Sequence, residues 1–338
     1  MEYAAELVAA GQFRVRDVPR RAPAPGEVQV SVTACGICGS DMQRFRGTSR
    51  QRYPMVLGHE ISGTVSAVGA GVQEVREGDA VVVIPLVPCF HCTLCLQGDY
   101  GLCPQYTFIG SRQAGGFAST VMVPARNLVR VPEAVDLQTA VLVEPLAVGS
   151  HALERARLAR TDTLAILGGG SIGLCTAMMA RFRGVEQPWV WDVAADRTGH
   201  AEKLGMGARL IVPGEEQSPT ADVVVEATGS PAALKSALSL ARAKGRIACV
   251  GTMQGDLHIP ADLWEAMLRK QLTLVGVWNS YSSPFPGEAW PAALSALEQD
   301  PVRTAQLITH RFRLEEVQTC FEWIRDHPGQ YGKILLRP

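Results

Sequence analysis

CGICGSD (35–41) and GHE (58–60) set a thiol and an imidazole in short glycine-flanked segments, and LVEPLAVGSHA (142–152) inserts an acid into an apolar run. A buried carboxylate without a partner is costly, so Glu144 needs a compensating charge. Cys38, His59 and Glu144 would offer zinc a thiolate, an imidazole and a carboxylate and leave the fourth position open, as a catalytic zinc requires. Spacing alone does not prove that residues so far apart in the chain converge. PCFHCTLCLQGDYGLC (88–103) separates four cysteines by two, two and seven residues. Four thiolates close a tetrahedral zinc to substrate, so Cys89, Cys92, Cys95 and Cys103 point to a structural zinc. An iron–sulfur cluster also takes four cysteines and stays open as an alternative. A thioredoxin-like dithiol is disfavoured, because proline-rich loop sequence and no βαβ unit surrounds the CxxC. His91 reads as exposed, and Cys35, Cys175, Cys249 and Cys320 as buried thiols.

LGGGSIG (167–173) fits G-x-G-x-x-G through Gly168, Gly170 and Gly173. The first glycine permits the turn and the second lets backbone approach a pyrophosphate. The third lets helix pack on strand, while the helix N-terminus offers amide donors to phosphate. The motif alone is weak, but here it follows an apolar strand, opens a helix and is answered nineteen residues after Gly173 by Asp192. That acid suits the ribose diol. Val193, not an arginine, follows it, and a carboxylate repels a 2′-phosphate, so NAD is expected in preference to NADP.

The elements that must hold these groups change character along the chain. Up to about residue 150, short alternating strands such as EVQVSV (27–32), DAVVVI (79–84) and ASTVMV (118–123) are punctuated by glycine-rich turns, which predicts a compact β-fold. From Thr163, strands and helices alternate. TLAIL, PWVWD, RLIV, DVVVEATG, GRIACVG and LTLVGVW read as strands, with helices over 171–183, 194–204 and 230–241, the pattern of a parallel sheet covered on both faces. The tail from Pro284, with two helical stretches and a final KILL strand, is expected to return to the first domain. The 338 residues suffice for two domains, and 47% hydrophobic content can build a core in each. Lysine and arginine (32) nearly cancel aspartate and glutamate (33), which leaves no global charge for nucleic acid or an anionic membrane. The N-terminus lacks the features of a secretory signal, no segment reaches membrane-spanning length, and a cytoplasmic protein is expected.

Taken together, CGICGSD, GHE, the four-cysteine lobe, VEPLAV, the glycine fingerprint and a terminal GKILL resemble, in this order, the zinc-dependent medium-chain dehydrogenase family. The resemblance implies an α/β architecture. A GroES-like β-rich catalytic domain spans 1–149 and 284–338, and a Rossmann doubly wound parallel-sheet domain spans 150–283. It implies NAD and two zincs per chain, one catalytic and one structural, and a homodimer or homotetramer. Glutamate as third ligand resembles the polyol dehydrogenase branch, and PLVPCFHC, YTFIGSRQAGGFA and WNSYSSPFPGEAW are similar to relatives acting on a phosphorylated polyol. The implied reaction is oxidation of a secondary hydroxyl of a polyol or polyol phosphate to a ketone. Another secondary alcohol (a free sorbitol- or xylitol-type polyol, L-threonine or an aminocyclitol) and a non-catalytic NAD-binding protein are the alternatives. In the resemblance Ser40 relays the proton, Gln43 replaces the histidine that often ends the relay, and Glu60 is an exchangeable or supporting carboxylate. Further cofactor contacts fall on Ser171, Ile172, Arg197, Thr228, Val250, Gly251 and Lys333. A phosphorylated substrate needs cations, for which Arg44, Arg46 and Arg112 are candidates.

Overall fold

The computed structural model describes residues 2–49, 52–211 and 220–338. The chain divides into two compact units: Met1–Glu144 with Tyr281–Pro328 and Lys333–Pro338, and Pro145–Ser280 with Gly329–Gly332. The architecture is α/β, a GroES-like β-rich unit and a Rossmann-like parallel-sheet unit, as expected.

In the first unit the ten-residue strand Glu27–Gly36 is central. It pairs antiparallel with Glu60–Val68, Thr120–Pro124 and Lys333–Arg337. Val28, Val30 and Val32 alternate as the sequence requires and are all buried. The register matters for chemistry: Gly36 lies opposite Glu60 on one side and Leu335 on the other. The ends of three strands distant in sequence therefore meet just before Cys38. The N-terminal residues form a hairpin of Glu2–Ala9 and Gln12–Val18, and Ile308–Arg313 adds a parallel strand beside Lys333–Arg337.

Cys38 opens the short helix Gly39–Phe45, whose apolar side is fastened to the tail. Phe13, Phe45 and Phe321 form a ring cluster with centroids 4.8–5.7 Å apart, and Phe45 and Phe321 are buried. Pairs of this kind each add about 0.5–1.5 kcal/mol beyond area burial, so Phe45 ties the end of the helix to the strand Gln12–Val18 and to the C-terminal segment. Phe321 belongs to the helix Val317–Asp326, so the C-terminal segment helps to position the first candidate ligand.

Among the described residues the second unit contains six parallel strands. Their spatial order is Gly207–Leu210, Trp189–Asp192, Leu164–Leu167, Ala221–Glu226, Ala241–Cys249 and Thr273–Gly276. Counted along the chain this is 3-2-1-4-5-6, with the order reversing between Leu164–Leu167 and Ala221–Glu226. Ligands of open parallel sheets bind outside the carboxyl ends of the strands at such a reversal. The expected strand RLIV is observed over Gly207–Leu210, and its Val212 lies outside the described residues. The helices Ser171–Phe182, Ala195–Lys203 and Pro231–Leu240 fall within a residue of their expected ends. One burial expectation is corrected: Cys249, at the end of its strand, is only half-buried, whereas Cys35, Cys175 and Cys320 are buried. No described helix is long and apolar enough to cross a membrane.

Candidate metal and cofactor sites

Cys38, His59 and Glu60 each bring one donor atom into a group whose atoms all lie within 4.8 Å of one another. Cys38 stands at the start of its helix, and His59 and Glu60 at the start of the strand Glu60–Val68. His59 is 6% exposed and its ring meets Phe108 edge-on at 5.6 Å. Burial disfavours the charged imidazole, but the Cys38 sulfur and the Asp41 carboxylate outweigh it and hold the pKa up at about 10. The surroundings that favour a proton on His59 would equally favour a metal cation in its place.

Asp41 was not singled out from the sequence. It is fully buried, its Oδ2 accepts the Cys38 N–H at 3.0 Å, and its Oδ1 faces His59 Nδ1 at 3.8 Å. The signal was present as an acid three residues after the residue that starts the helix, the spacing of a helix-start box. Its position on the Nδ1 side leaves Nε2 as the nitrogen available to a metal.

Glu60 and Glu144 are both buried, with different surroundings. The Glu60 carboxylate accepts two hydrogen bonds from Lys333 Nζ, at 2.6 and 2.7 Å, in a pair that is 1–2% exposed. Lys333 also donates to Ile37 O at 3.2 Å. The structure thus places Lys333, named above among the cofactor contacts, on a member of the metal group. Gly36 makes room for this pair, because a Cβ there would run into the Glu60 carboxylate. Glu144, at the second residue of the helix Val143–Arg155, has no ion pair among the described residues. Burial pushes its pKa up to about 7 against the pull of His59. Ser40 is half-buried on the first turn of the Gly39–Phe45 helix.

The four cysteines of the lobe also converge, again with all donor atoms within 4.8 Å. They are free thiols, with Cys89 Sγ 3.9 Å from Cys95 Sγ and Cys92 Sγ 4.0 Å from Cys103 Sγ. With Zn–S near 2.3 Å, the edge of a tetrahedron of sulfurs is about 3.8 Å. The spacing therefore suits one four-coordinate ion, whereas an iron–sulfur cluster would place several atoms between the thiolates. A hydrogen bond from the His91 backbone, helped against desolvation by Cys92, draws the Cys89 thiol down to about 6. His91 itself is exposed.

In the second unit the glycine turn sits at the carboxyl end of Leu164–Leu167. Gly168 has φ +106°, and a Cβ there would meet Thr228 Cγ2 at 2.7 Å. Gly170 precedes the helix Ser171–Phe182 and faces open space within 4 Å, while Gly173 packs against Gly168 O. This is the geometry in which backbone amides can approach a phosphate. Asp192, 4% exposed at the end of its strand, accepts hydrogen bonds from Gly169 N (2.7 Å) and Ala194 N (2.8 Å) and pairs with Arg197 at 3.3 Å. Ser171 Oγ donates to Gly332 O at 3.1 Å, and Ile172 is half-buried beside it. Glu226 was missed in the sequence. Its buried carboxylate accepts from Thr228 N (2.7 Å), Thr228 Oγ1 (2.5 Å) and Gly229 N (2.9 Å), and its carbonyl from Val250 N and Gly251 N. It ties together two loops at the reversal in strand order.

The substrate candidates separate. Arg44 is 20% exposed, with Nη1 3.9 Å from Asp41 Oδ1. Arg46 is exposed beyond the helix end. Arg112 is exposed and folded onto Tyr106, its Nη1 donating to Tyr106 O at 2.8 Å and its guanidinium 3.8 Å from the ring centroid.

Residues 24–133 match the family described as the alcohol dehydrogenase GroES-like domain, and residues 137–327 that of the glucose dehydrogenase C-terminus. The chain is 34% identical over 322 residues to galactitol 1-phosphate 5-dehydrogenase of Escherichia coli K12, covering 92% of each. The crystal structure of galactitol-1-phosphate dehydrogenase from Escherichia coli is similar with a TM-score of 0.93 and 32% identity, over 99% of this chain and 100% of that one. The alcohol dehydrogenase rspB from E. coli CFT073, complexed with NADH, has a TM-score of 0.89 and 28% identity, covering 100% of this chain and 99% of that one.

Proposed function

Because the chain belongs to the zinc-type alcohol and polyol dehydrogenase family, a family of oxidoreductases, we propose that it oxidises a secondary hydroxyl of a polyol or polyol phosphate, of the galactitol 1-phosphate kind, with NAD as acceptor. The observation that carries this reading is the convergence of Cys38, His59 and Glu60 in the β-rich unit, with Glu144 outside that close group but buried and within the electrostatic reach of His59.

The residues present fit zinc. Sulfur, imidazole and carboxylate donors are gathered in Cys38, His59 and Glu60, and Glu144 is a buried acid with no ion pair among the described residues. Cys38, His59 and Glu144 would hold the catalytic ion, and Cys89, Cys92, Cys95 and Cys103 the structural one. Glu60 is the less available carboxylate, since Lys333 already neutralises it. Zinc supplies a Lewis acid that lowers the pKa of a substrate hydroxyl, and NAD supplies the hydride acceptor.

The chain's own groups do the rest. Asp41 orients the His59 ring from its Nδ1 side. Ser40 takes the hydroxyl proton on Oγ and releases its own to water, since Gln43 cannot titrate. Gly168, Gly170 and the amides opening the Ser171–Phe182 helix receive the pyrophosphate. Asp192, beside them, takes the ribose diol, and its negative charge disfavours a 2′-phosphate.

A panel of polyols and polyol phosphates, followed by NADH absorbance with and without a chelator, tests the reading. Turnover of at least one of them that the chelator abolishes is expected. Chelator-insensitive turnover removes zinc from the mechanism, and no turnover on any alcohol favours a binding protein.

A further inference from the structure

Resting on the polyol dehydrogenase reading, we infer that Arg44 is the anion-holding residue of the substrate site and that the substrate class is a phosphorylated polyol. Acids crowd the metal group: Glu60 belongs to it, Asp41 faces His59, and both of them and Glu144 are at least nine-tenths buried, while a ligating cysteine adds a thiolate. Lys333 is taken up by Glu60. A substrate carrying a phosphate dianion enters such a site only if a cation with uncommitted hydrogens stands beside it.

Arg44 meets that requirement and the other two candidates do not. It lies one helical turn after Asp41, and helical side chains lean toward the N-terminus, so its guanidinium lies over the acid that faces His59. Its Nη1 is buried with no hydrogen-bond partner among the described residues, and its 3.9 Å approach to Asp41 Oδ1 is too long for a hydrogen bond. Charge attraction to Asp41 holds the group in place, and its planar fork of N–H donors stays available for phosphate oxygens. Arg112 has spent its guanidinium on Tyr106, and Arg46 is exposed beyond the helix end. A polyol whose carbon 5 reacts and whose carbon 1 bears the phosphate needs its cation several ångströms from the reacting hydroxyl. Arg44, beside the acid that faces His59 and not among the metal donors themselves, stands at that kind of remove.

The experiment compares kcat/KM for galactitol 1-phosphate and galactitol in the zinc-loaded wild type and in Arg44→Gln, Arg44→Lys and Arg112→Gln. Zinc content and thermal stability are measured for each. The wild type is expected to prefer the phosphate ester. Arg44→Gln should lower that preference about 10- to 100-fold, mainly through KM, Arg44→Lys should restore part of it, and Arg112→Gln should leave it unchanged. Binding of galactitol 1-phosphate measured by calorimetry should weaken in Arg44→Gln by a similar factor, a readout that does not depend on turnover. An unchanged preference and unchanged binding in Arg44→Gln overturns the inference. An equal loss on both substrates with loss of zinc also overturns it, because Arg44 then acts only as support for Asp41. Wild type that oxidises galactitol as well as its phosphate overturns the phosphate class while the dehydrogenase reading stands. Wild type that binds the ester through Arg44 but oxidises neither compound leaves the anion site and removes the reaction.

Discussion

The buried pair of Lys333 and Glu60 shows how a single contact can set the chemistry of its neighbours. Both groups are almost fully removed from water, and each is tolerable only because of the other. Lys333→Met leaves a carboxylate buried without its cation beside Asp41 and Glu144. We expect it to destabilise the fold by about 3–5 kcal/mol in urea unfolding. The double variant Lys333→Met, Glu60→Leu should recover most of that loss. If Lys333→Met unfolds like the wild type, the pair is not a structural unit. The pair also bears on the proposed zinc site, since it leaves Glu144 as the buried carboxylate without an ion pair among the described residues.

Among the elements, the two central strands of the parallel sheet are pinned at their amino ends, opposite the glycine turn. Asp222 accepts from Thr163 N (3.0 Å) and Thr163 Oγ1 (2.6 Å), returns a bond from its own N–H to Thr163 Oγ1 (3.0 Å), and pairs with Arg242. Burial acts to raise the Asp222 pKa, but the Thr163 hydrogen bonds and Arg242 prevail and hold it below the usual 3.8. A folded-state pKa below the unfolded one means that the stabilisation is fully present above pH 3.8 and is lost as pH falls through the lower, folded value. Asp222→Ala should therefore cost about 1–3 kcal/mol at neutral pH. Unfolding curves taken at decreasing pH below 3.8 should show the variant and the wild type converging; a constant gap would mean that the loss comes from packing and not from the carboxylate.

For the whole chain, the two thiol-bearing sites predict two zincs per molecule by elemental analysis, with separable consequences. The Cys89–Cys103 lobe is closed by four sulfurs and offers a substrate no coordination position. Cys92→Ser should lower thermal stability and bring the metal count to about one, with turnover per folded molecule retained. Cys38→Ser should abolish turnover in a folded protein. A Cys92→Ser protein with wild-type stability and two zincs would remove the lobe from its supporting role.

Much of this was written locally and could be read locally. The glycine fingerprint, its strand and helix and the four-cysteine spacing depend on residues a few positions apart, and short-range periodicity specifies them. Local propensity does not decide everything: EYAAELVA, with three alanines and two glutamates, is a strand, because its partner Gln12–Val18 and the buried bridge to Ala118 override helical propensity. Other features had no local signature. Lys333 meets Glu60 across 273 residues only because the last strand lies beside Glu27–Gly36, which pairs with Glu60 on its other edge. Three arginines looked equivalent in the sequence, and burial and hydrogen bonding separated them. Residue types and spacings determined which chemistry the chain can perform. Strand register and burial, which arise from long-range pairing, decided which acid Lys333 neutralises, which buried acid stays without an ion pair and which arginine keeps a nitrogen without a hydrogen-bond partner among the described residues.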